Sequence, residues 1–173
     1  MFRYFNLPKA LQLLILMAVI AVTPAKASLI NFSALINGAQ ANAGVGTGSL
    51  ATGSASMWLD DVTNDFSWEI SWSGLTDLTA AHFHGPATLF QNAGVQIPID
   101  IANNPSIGNT LLTNGQVSDL RDGLWYINIH TAQFAGGEIR GQIYEQVNVS
   151  TPGATSILFI SMMTLFLVRR RRL

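Results

Sequence analysis

Three histidines are the side chains of this sequence best suited to chemistry. His82 and His84 flank Phe83 in a run that alternates like a β-strand, and His130 ends a second such run. Because alternate residues of a strand share a face, a core-facing Phe83 would place His82 and His84 together on the opposite face. Three imidazoles from two neighbouring strands make the kind of site that binds zinc or copper. The spacing predicts a metal site of His82, His84 and His130. In the alternative interpretation the three histidines are polar residues at strand ends, and His84 fixes the following Gly-Pro turn by a hydrogen bond.

Other chemical signatures are weaker. A calcium site of four oxygen donors matches no EF-hand spacing, and the same residue types favour ordinary turns. Its candidates are Asp60, Asp61, Asn64 and Asp65. Exposed tryptophans would form a sugar-stacking platform, although aromatic residues at alternating positions are usually core. The candidates for that platform are Trp58, Trp68 and Trp72.

Catalytic motifs are absent from the sequence. It has no nucleophile elbow, no phosphate-binding loop, no His-Glu-x-x-His pattern and no cysteine. We therefore expect no catalytic residue, no disulfide and no cofactor. The alternative to the absence of a cofactor is bound zinc or copper.

The elements that must position the histidines read as short strands. Between residues 28 and 147, apolar residues alternate with period two between Gly, Asn, Asp and Pro. Strands are predicted at 29–36, 49–60, 65–74, 78–84, 95–101, 124–130 and 138–145, with a hairpin turn at 61–64. A short helical turn is predicted within 111–121, capped by Ser118 and Asp119. The pattern predicts an all-β domain folded as a Greek-key-like antiparallel β-sandwich of two sheets.

Alternation also assigns the faces of the last two strands. Trp125, Ile127 and Ile129 are predicted to point into the core. The residues predicted to point outward are Tyr126, Asn128, His130, Glu138, Arg140 and Gln142.

Residues 1–27 have the features of a secretory signal peptide. Arg3 and Lys9 precede an apolar run at 10–22, and Ala25 and Ala27 supply the small side chains that signal peptidase requires. The run of 13 residues falls short of the roughly 20 that a membrane-spanning helix needs. Signal peptidase is predicted to cut between Ala27 and Ser28.

Residues 148–173 read as a C-terminal sorting tail. Pro152 interrupts regular structure, and residues 154–168 form a short predicted transmembrane helix. An arginine cluster follows, which holds the tip in the cytoplasm. Its members are Arg169, Arg170, Arg171 and Arg172. Fifteen apolar residues are few for a permanent span, which suits a segment that is recognised and cut.

Charge is divided between the ends and the middle of the chain. All ten acidic residues lie between positions 60 and 145, where only Arg121 and Arg140 oppose them, so the domain at 28–147 has a formal charge of −8. Nucleic acid is excluded as a partner because phosphate binding needs clustered cations.

Three segments resemble the CHRD domain, the repeat first described in chordin. They are AHFHGPA at 81–87, GLWYINIHT at 123–131 and GGEIRGQI at 136–143. The resemblance covers about residues 29–145 and implies a secreted or surface-bound β-sandwich module without an established enzymatic activity. The tail resembles a PEP-CTERM sorting signal, which implies processing by an exosortase in a Gram-negative bacterium that makes exopolysaccharide; residues 149–153 replace the usual Pro-Glu-Pro.

The sequence thus predicts an exported, non-enzymatic interaction or structural module at the cell envelope, outer surface or extracellular matrix. It would meet the inner membrane only transiently, and exopolysaccharide is a predicted partner. The alternative from another class is a zinc- or copper-binding protein with redox activity of the superoxide-dismutase kind. Carbohydrate binding is a third hypothesis.

One measurement tests both predicted processing sites. Intact-mass analysis of the exported protein should give a chain that begins at Ser28 and lacks Arg169 to Arg172, because both apolar runs are too short for stable anchors. A mass that retains residues 10–22 would contradict the signal peptide, and retained arginines would favour a plain membrane anchor.

Overall fold

A computed structural model of the protein describes residues 28–146. They form one antiparallel sheet of nine strands with a single α-helix, α1, at Asn114–Arg121 and two short 3-10 turns between the first two strands. The strands are β1 (Leu29–Asn37), β2 (Thr52–Asp60), β3 (Asp65–Ser73), β4 (Leu78–His84), β5 (Val95–Ile99), β6 (Ser106–Leu111), β7 (Tyr126–Thr131), β8 (Ile139–Gln142) and β9 (Tyr144–Glu145).

The strands follow the order β5-β4-β7-β8-β1-β2-β3-β6, and β9 also pairs with β1. The predicted all-β, antiparallel fold is confirmed. The prediction of two separate sheets is wrong, because β1 bridges the halves by pairing with β2 on one side and with β8 and β9 on the other. The sheet therefore curls until it nearly closes on itself.

An aromatic cluster holds the two halves of the curled sheet together. Phe66 and Trp68 of β3 face Phe83 of β4, with ring centroids 5.5 and 5.1 Å from that of Phe83, both edge to face. Trp125, just before β7, completes the cluster at 6.2 Å from Phe83. Each such aromatic pair contributes about 0.5–1.5 kcal/mol beyond the area it buries. The inward assignment of Trp125, Ile127 and Ile129 is confirmed.

The β2–β3 hairpin forms where alternation predicted it. The Asp60 carboxylate accepts hydrogen bonds of 2.9 Å from the N–H groups of Val62 and Thr63, and Asn64 takes a left-handed φ of 60°, which Asn tolerates well. These backbone hydrogen bonds lower the pKa of Asp60. A turn thus ends β2 because Asp and Asn satisfy the backbone locally.

The region between 105 and 121 departs from the prediction in two ways. Strand β6 was not predicted, because its core-facing positions hold Ser106 and Gly108 instead of large apolar residues. A Cβ at position 108 would overlap the Trp68 indole, so the small residues are what that indole requires. The helical turn is confirmed as α1, but Thr113 caps it in a capping box with Gln116, so the predicted cap by Ser118 and Asp119 is wrong.

Several predicted features lie outside the described residues. The signal peptide through Ala27, Pro152, the apolar segment at 154–168 and the arginine cluster all fall there; only Ser28 is described, and its N–H donates to the Asp61 carboxylate over 2.9 Å. Within residues 28–146, no helix is long and apolar enough to cross a membrane.

The junction of β8 with β1 makes a testable prediction. A Cβ at position 141 would lie 2.8 Å from both the Leu35 carbonyl oxygen and the Ile36 side chain. We expect Gly141→Ala to lower the free energy of unfolding by about 1–3 kcal/mol, as overpacking does, measured by urea denaturation. Gly115→Ala is the matched control: it lies in α1 with open space around it, so it should stabilise by about 0.5–1 kcal/mol. Equal effects of the two substitutions would contradict this account of the junction.

Candidate metal centre

Strands β4 and β7 bring the three histidines together. They pair antiparallel with Ala81 opposite Ile129, and both of these residues are buried in the core. The alternate positions, which hold His82, His84 and His130, therefore share the other face. The predicted placement of the histidines is confirmed.

Their ring nitrogens converge. One nitrogen from each of His82, His84 and His130 lies within 4.8 Å of the others. His82 Nδ1 is 3.4 Å from His130 Nε2, and the ring centroids are 5.3 to 6.0 Å apart. His84 is 8 % exposed, whereas His82 and His130 are half-buried and reach toward solvent.

His84 is fixed by the backbone and leaves one nitrogen without a partner. Its Nδ1 lies 2.9 Å from the Ala93 carbonyl oxygen, which can only accept, so Nδ1 carries the proton. Its Nε2 is buried and has no hydrogen-bond partner. The neutral ring thus presents a desolvated lone pair on Nε2. The predicted hydrogen bond at this histidine exists, but it reaches Ala93 instead of the adjacent Gly-Pro turn.

His130 is fixed in the same way. Its Nδ1 lies 2.9 Å from the Ala135 carbonyl oxygen, which assigns that nitrogen the proton and leaves the lone pair on Nε2. The Asn128 amide nitrogen lies 3.4 Å from this Nε2 and 3.0 Å from the Gly136 carbonyl oxygen. Two of the three histidines therefore have the outer hydrogen bond that metal-ligating histidines almost always show.

Burial favours the neutral form of His82 and His84. Burial lowers the pKa of His82 below its ordinary value of 6.5, and the nearby His130 lowers it further. Burial likewise lowers the pKa of His84, opposed by the hydrogen bond to Ala93 and reinforced by His82, His130 and Arg140. Neutral imidazole is the form that binds metal.

The predicted outward face of β7 and β8 is wrong in part. Tyr126, Asn128, Arg140 and Gln142 alternate away from the core as predicted, but all four are buried. The connection between β4 and β5 covers Tyr126, Arg140 and Gln142 and accepts hydrogen bonds from the last two. Asn128 instead donates to the Gly136 carbonyl oxygen in the connection between β7 and β8. The sequence signal for this cover is the irregular stretch at 85–94, which directly follows the histidine pair and is rich in small residues.

The other candidate sites are not assembled. The acidic turn uses its oxygens internally, since Asp60 binds backbone N–H groups and Asp65 accepts from the Asn109 amide over 3.3 Å. Within residues 28–146 the histidines are the only group of three or more His, Asp or Glu ligands that converges. The sugar platform is also wrong as a set, because Trp68 is core while Trp58 lies on the opposite face of the sheet.

A family model for the CHRD domain matches residues 32–143, which is more than half of the chain. The chain belongs to the CHRD domain family. The histidines and the buried Arg140 all lie within the matched region. CHRD domains are typical of extracellular or secreted proteins. Neither the curated proteins nor the solved structures contain a significant match.

The lowered histidine pKa values predict how stability depends on pH. Histidines of the unfolded chain take up protons near pH 6.5, whereas His82 and His84 of the folded protein do so only at lower pH. The stabilisation is therefore fully present above pH 6.5 and is lost as pH falls through the lower pKa values of the folded protein. Thermal melts in chelator between about pH 7 and 5.5 should show a falling melting temperature. His82→Gln should flatten the slope, because it removes one of the two depressed groups; an unchanged slope would contradict the assignment.

Proposed function

We propose that this CHRD protein is an exported module that binds one zinc or copper ion through His82, His84 and His130. The observation that carries the proposal is the buried, unpartnered Nε2 of His84, which lies in a cluster with the two other imidazoles. Leaving a buried polar atom unsatisfied costs about 1–3 kcal/mol. A metal ion that accepts its lone pair removes that cost.

The donor set suits these metals. Imidazole nitrogen is a preferred ligand of zinc and copper, and three histidines with one open position form a known type of zinc site. Nitrogens that share a tetrahedral zinc ion at bonds of about 2.0–2.1 Å lie about 3.4 Å apart. The His82–His130 nitrogen distance of 3.4 Å already meets that requirement.

The three ligand nitrogens lie within 4.8 Å of one another, which is somewhat wider than a shared zinc ion requires. An inward adjustment of about 1 Å closes the triangle at ordinary bond lengths. His82 and His130 are partly exposed and supply that adjustment, whereas buried His84 stays fixed by its bond to Ala93.

The proton on His82 is the one that metal binding displaces. His130 Nε2 has only a lone pair to offer, so the 3.4 Å contact from His82 Nδ1 is a donated hydrogen bond in the neutral cluster. If Nδ1 becomes a ligand, the neutral His82 ring would carry its proton on Nε2 instead. Metal affinity should fall as pH decreases, because protonation of an imidazole removes the lone pair that binds the metal.

The proposal assigns binding and no catalytic turnover, in keeping with a sequence that lacks nucleophile motifs. The site would fix the metal within a surface or matrix module of a Gram-negative envelope, with exopolysaccharide as the neighbouring polymer. The signal peptide and the PEP-CTERM-like tail, with signal peptidase and an exosortase as their processing enzymes, support this location from sequence. Membership of the CHRD family, which is typical of extracellular or secreted proteins, supports export independently.

Calorimetry on the full-length chain in detergent tests the metal site. Wild type should bind about one zinc or copper ion near pH 7.5, where imidazole is neutral. His84→Ala and His130→Ala should each weaken binding at least 100-fold, because two ligands hold an ion poorly. Asn109→Ala, an exposed polar change on β6, is the matched control and should bind like wild type. A wild-type protein that gives no binding heat with either metal, or a His130→Ala variant with unchanged affinity, would overturn the proposal.

A further inference from the structure

We propose that Tyr126 and Arg140 are positioning residues of the histidine site, which act on His84 through the segment at 88–93. This inference rests on the proposed metal function. Neither side chain supplies a metal ligand, and both were predicted to point outward from the sheet. Hereafter the segment at 88–93 is called the strap.

The strap ends at the residue that holds His84. The Ala93 carbonyl accepts from His84 Nδ1 over 2.9 Å, and the Ala93 N–H donates to the Tyr126 hydroxyl over 3.1 Å. That hydroxyl in turn lies 3.4 Å from the Ala93 carbonyl oxygen. The Tyr126 ring stacks on the His84 ring with centroids 5.0 Å apart and planes inclined by 9°. Tyr126 therefore restrains both the imidazole and the carbonyl that orients it.

Arg140 holds the rest of the strap. Its two terminal nitrogens donate to the Thr88 and Gln91 carbonyl oxygens over 2.9 and 2.8 Å. Its guanidinium carbon lies 3.5 Å from the centre of the Tyr126 ring, on which it makes a cation–π contact. Arg140 is 1 % exposed, so both the strap and the Tyr126 ring pack against its planar guanidinium group.

Gln142 anchors the chain just before the strap. Its amide nitrogen donates to the Ala87 and Gly123 carbonyl oxygens over 2.9 and 2.7 Å, and its oxygen accepts from Arg140 over 2.9 Å. The strap is thus tied at its start by Gln142, along its length by Arg140 and at its end by Tyr126.

These ties determine the state of His84 before any metal arrives. A free neutral imidazole exchanges its proton between both nitrogens and rotates. Held by the Ala93 carbonyl, His84 keeps the proton on Nδ1 and the lone pair on Nε2. Loss of such an outer hydrogen-bonding partner typically weakens metal binding 10–100-fold.

Two substitutions test the positioning role in the full-length chain in detergent. Tyr126→Phe removes only the hydroxyl and keeps the stacked ring. Arg140→Lys keeps the charge but replaces the two terminal guanidinium nitrogens with a single amine. The matched controls are Tyr144→Phe, at an exposed tyrosine on β9, and Arg121→Lys, at an exposed ion pair with Glu145. The readouts are zinc affinity by calorimetry and the ¹⁵N chemical shifts of His84 in the metal-free protein, which report its tautomer.

Tyr126→Phe and Arg140→Lys should each weaken zinc binding about tenfold or more, and the His84 shifts should move from a pure Nδ1–H form toward a tautomer mixture. Both controls should match wild type. Folded variants with wild-type tautomer and affinity would overturn the inference and leave the metal function intact. Should Arg140→Lys fail to fold, Tyr126→Phe alone decides. Wild type that binds no zinc overturns the metal function, while the tautomer shifts still test the positioning in the metal-free protein.

Discussion

A buried guanidinium organises the polar half of this domain. Arg140 is almost fully enclosed, and burying a charge without partners is strongly unfavourable. It is stabilised here by carbonyl oxygens of the connection after β4, by Gln142 and by the Tyr126 ring. No Asp or Glu pairs with it among the described residues. The connection folds back over β7 and β8, where its Thr88 and Gln91 carbonyl oxygens accept hydrogen bonds from both terminal nitrogens of the cation.

By folding over β7 and β8, the connection after β4 turns the outer face of these strands into a partly enclosed site. The core needs only one face of β4 and β7, which the aromatic cluster fills with Phe83 and Trp125. The opposite face would be solvated in a simple antiparallel sheet. Covering it leaves His84 desolvated at the edge of the cover, while His82 and His130 stay reachable from solvent. A partly buried group of three imidazoles results, open on one side.

The three motif segments of the chain have a common physical role in this arrangement. The first supplies His82 and His84, the second Tyr126 and His130, and the third Arg140 and Gln142. Gly141 belongs to the third as well, where the absence of a Cβ lets β8 meet β1 and joins the two halves of the sheet. Sheet closure and site assembly thus depend on the same short strand.

Period-two alternation by itself determined the strand positions, the inward aromatic face and the shared face of the three histidines. This works because the side-chain direction in a strand follows directly from sequence parity. Parity also explains the errors. It could not predict β6, because the inward-facing residues of that strand are small and leave their space to the Trp68 indole. It also could not predict that β1 joins the two halves into one sheet, because that pairing involves strands that are far apart in sequence. Above all, parity says which way Arg140 points and not what lies above it. Only the tertiary structure, by folding 85–94 over that face, decided that Arg140 and Tyr126 are buried and that His84 has one fixed nitrogen and one free one.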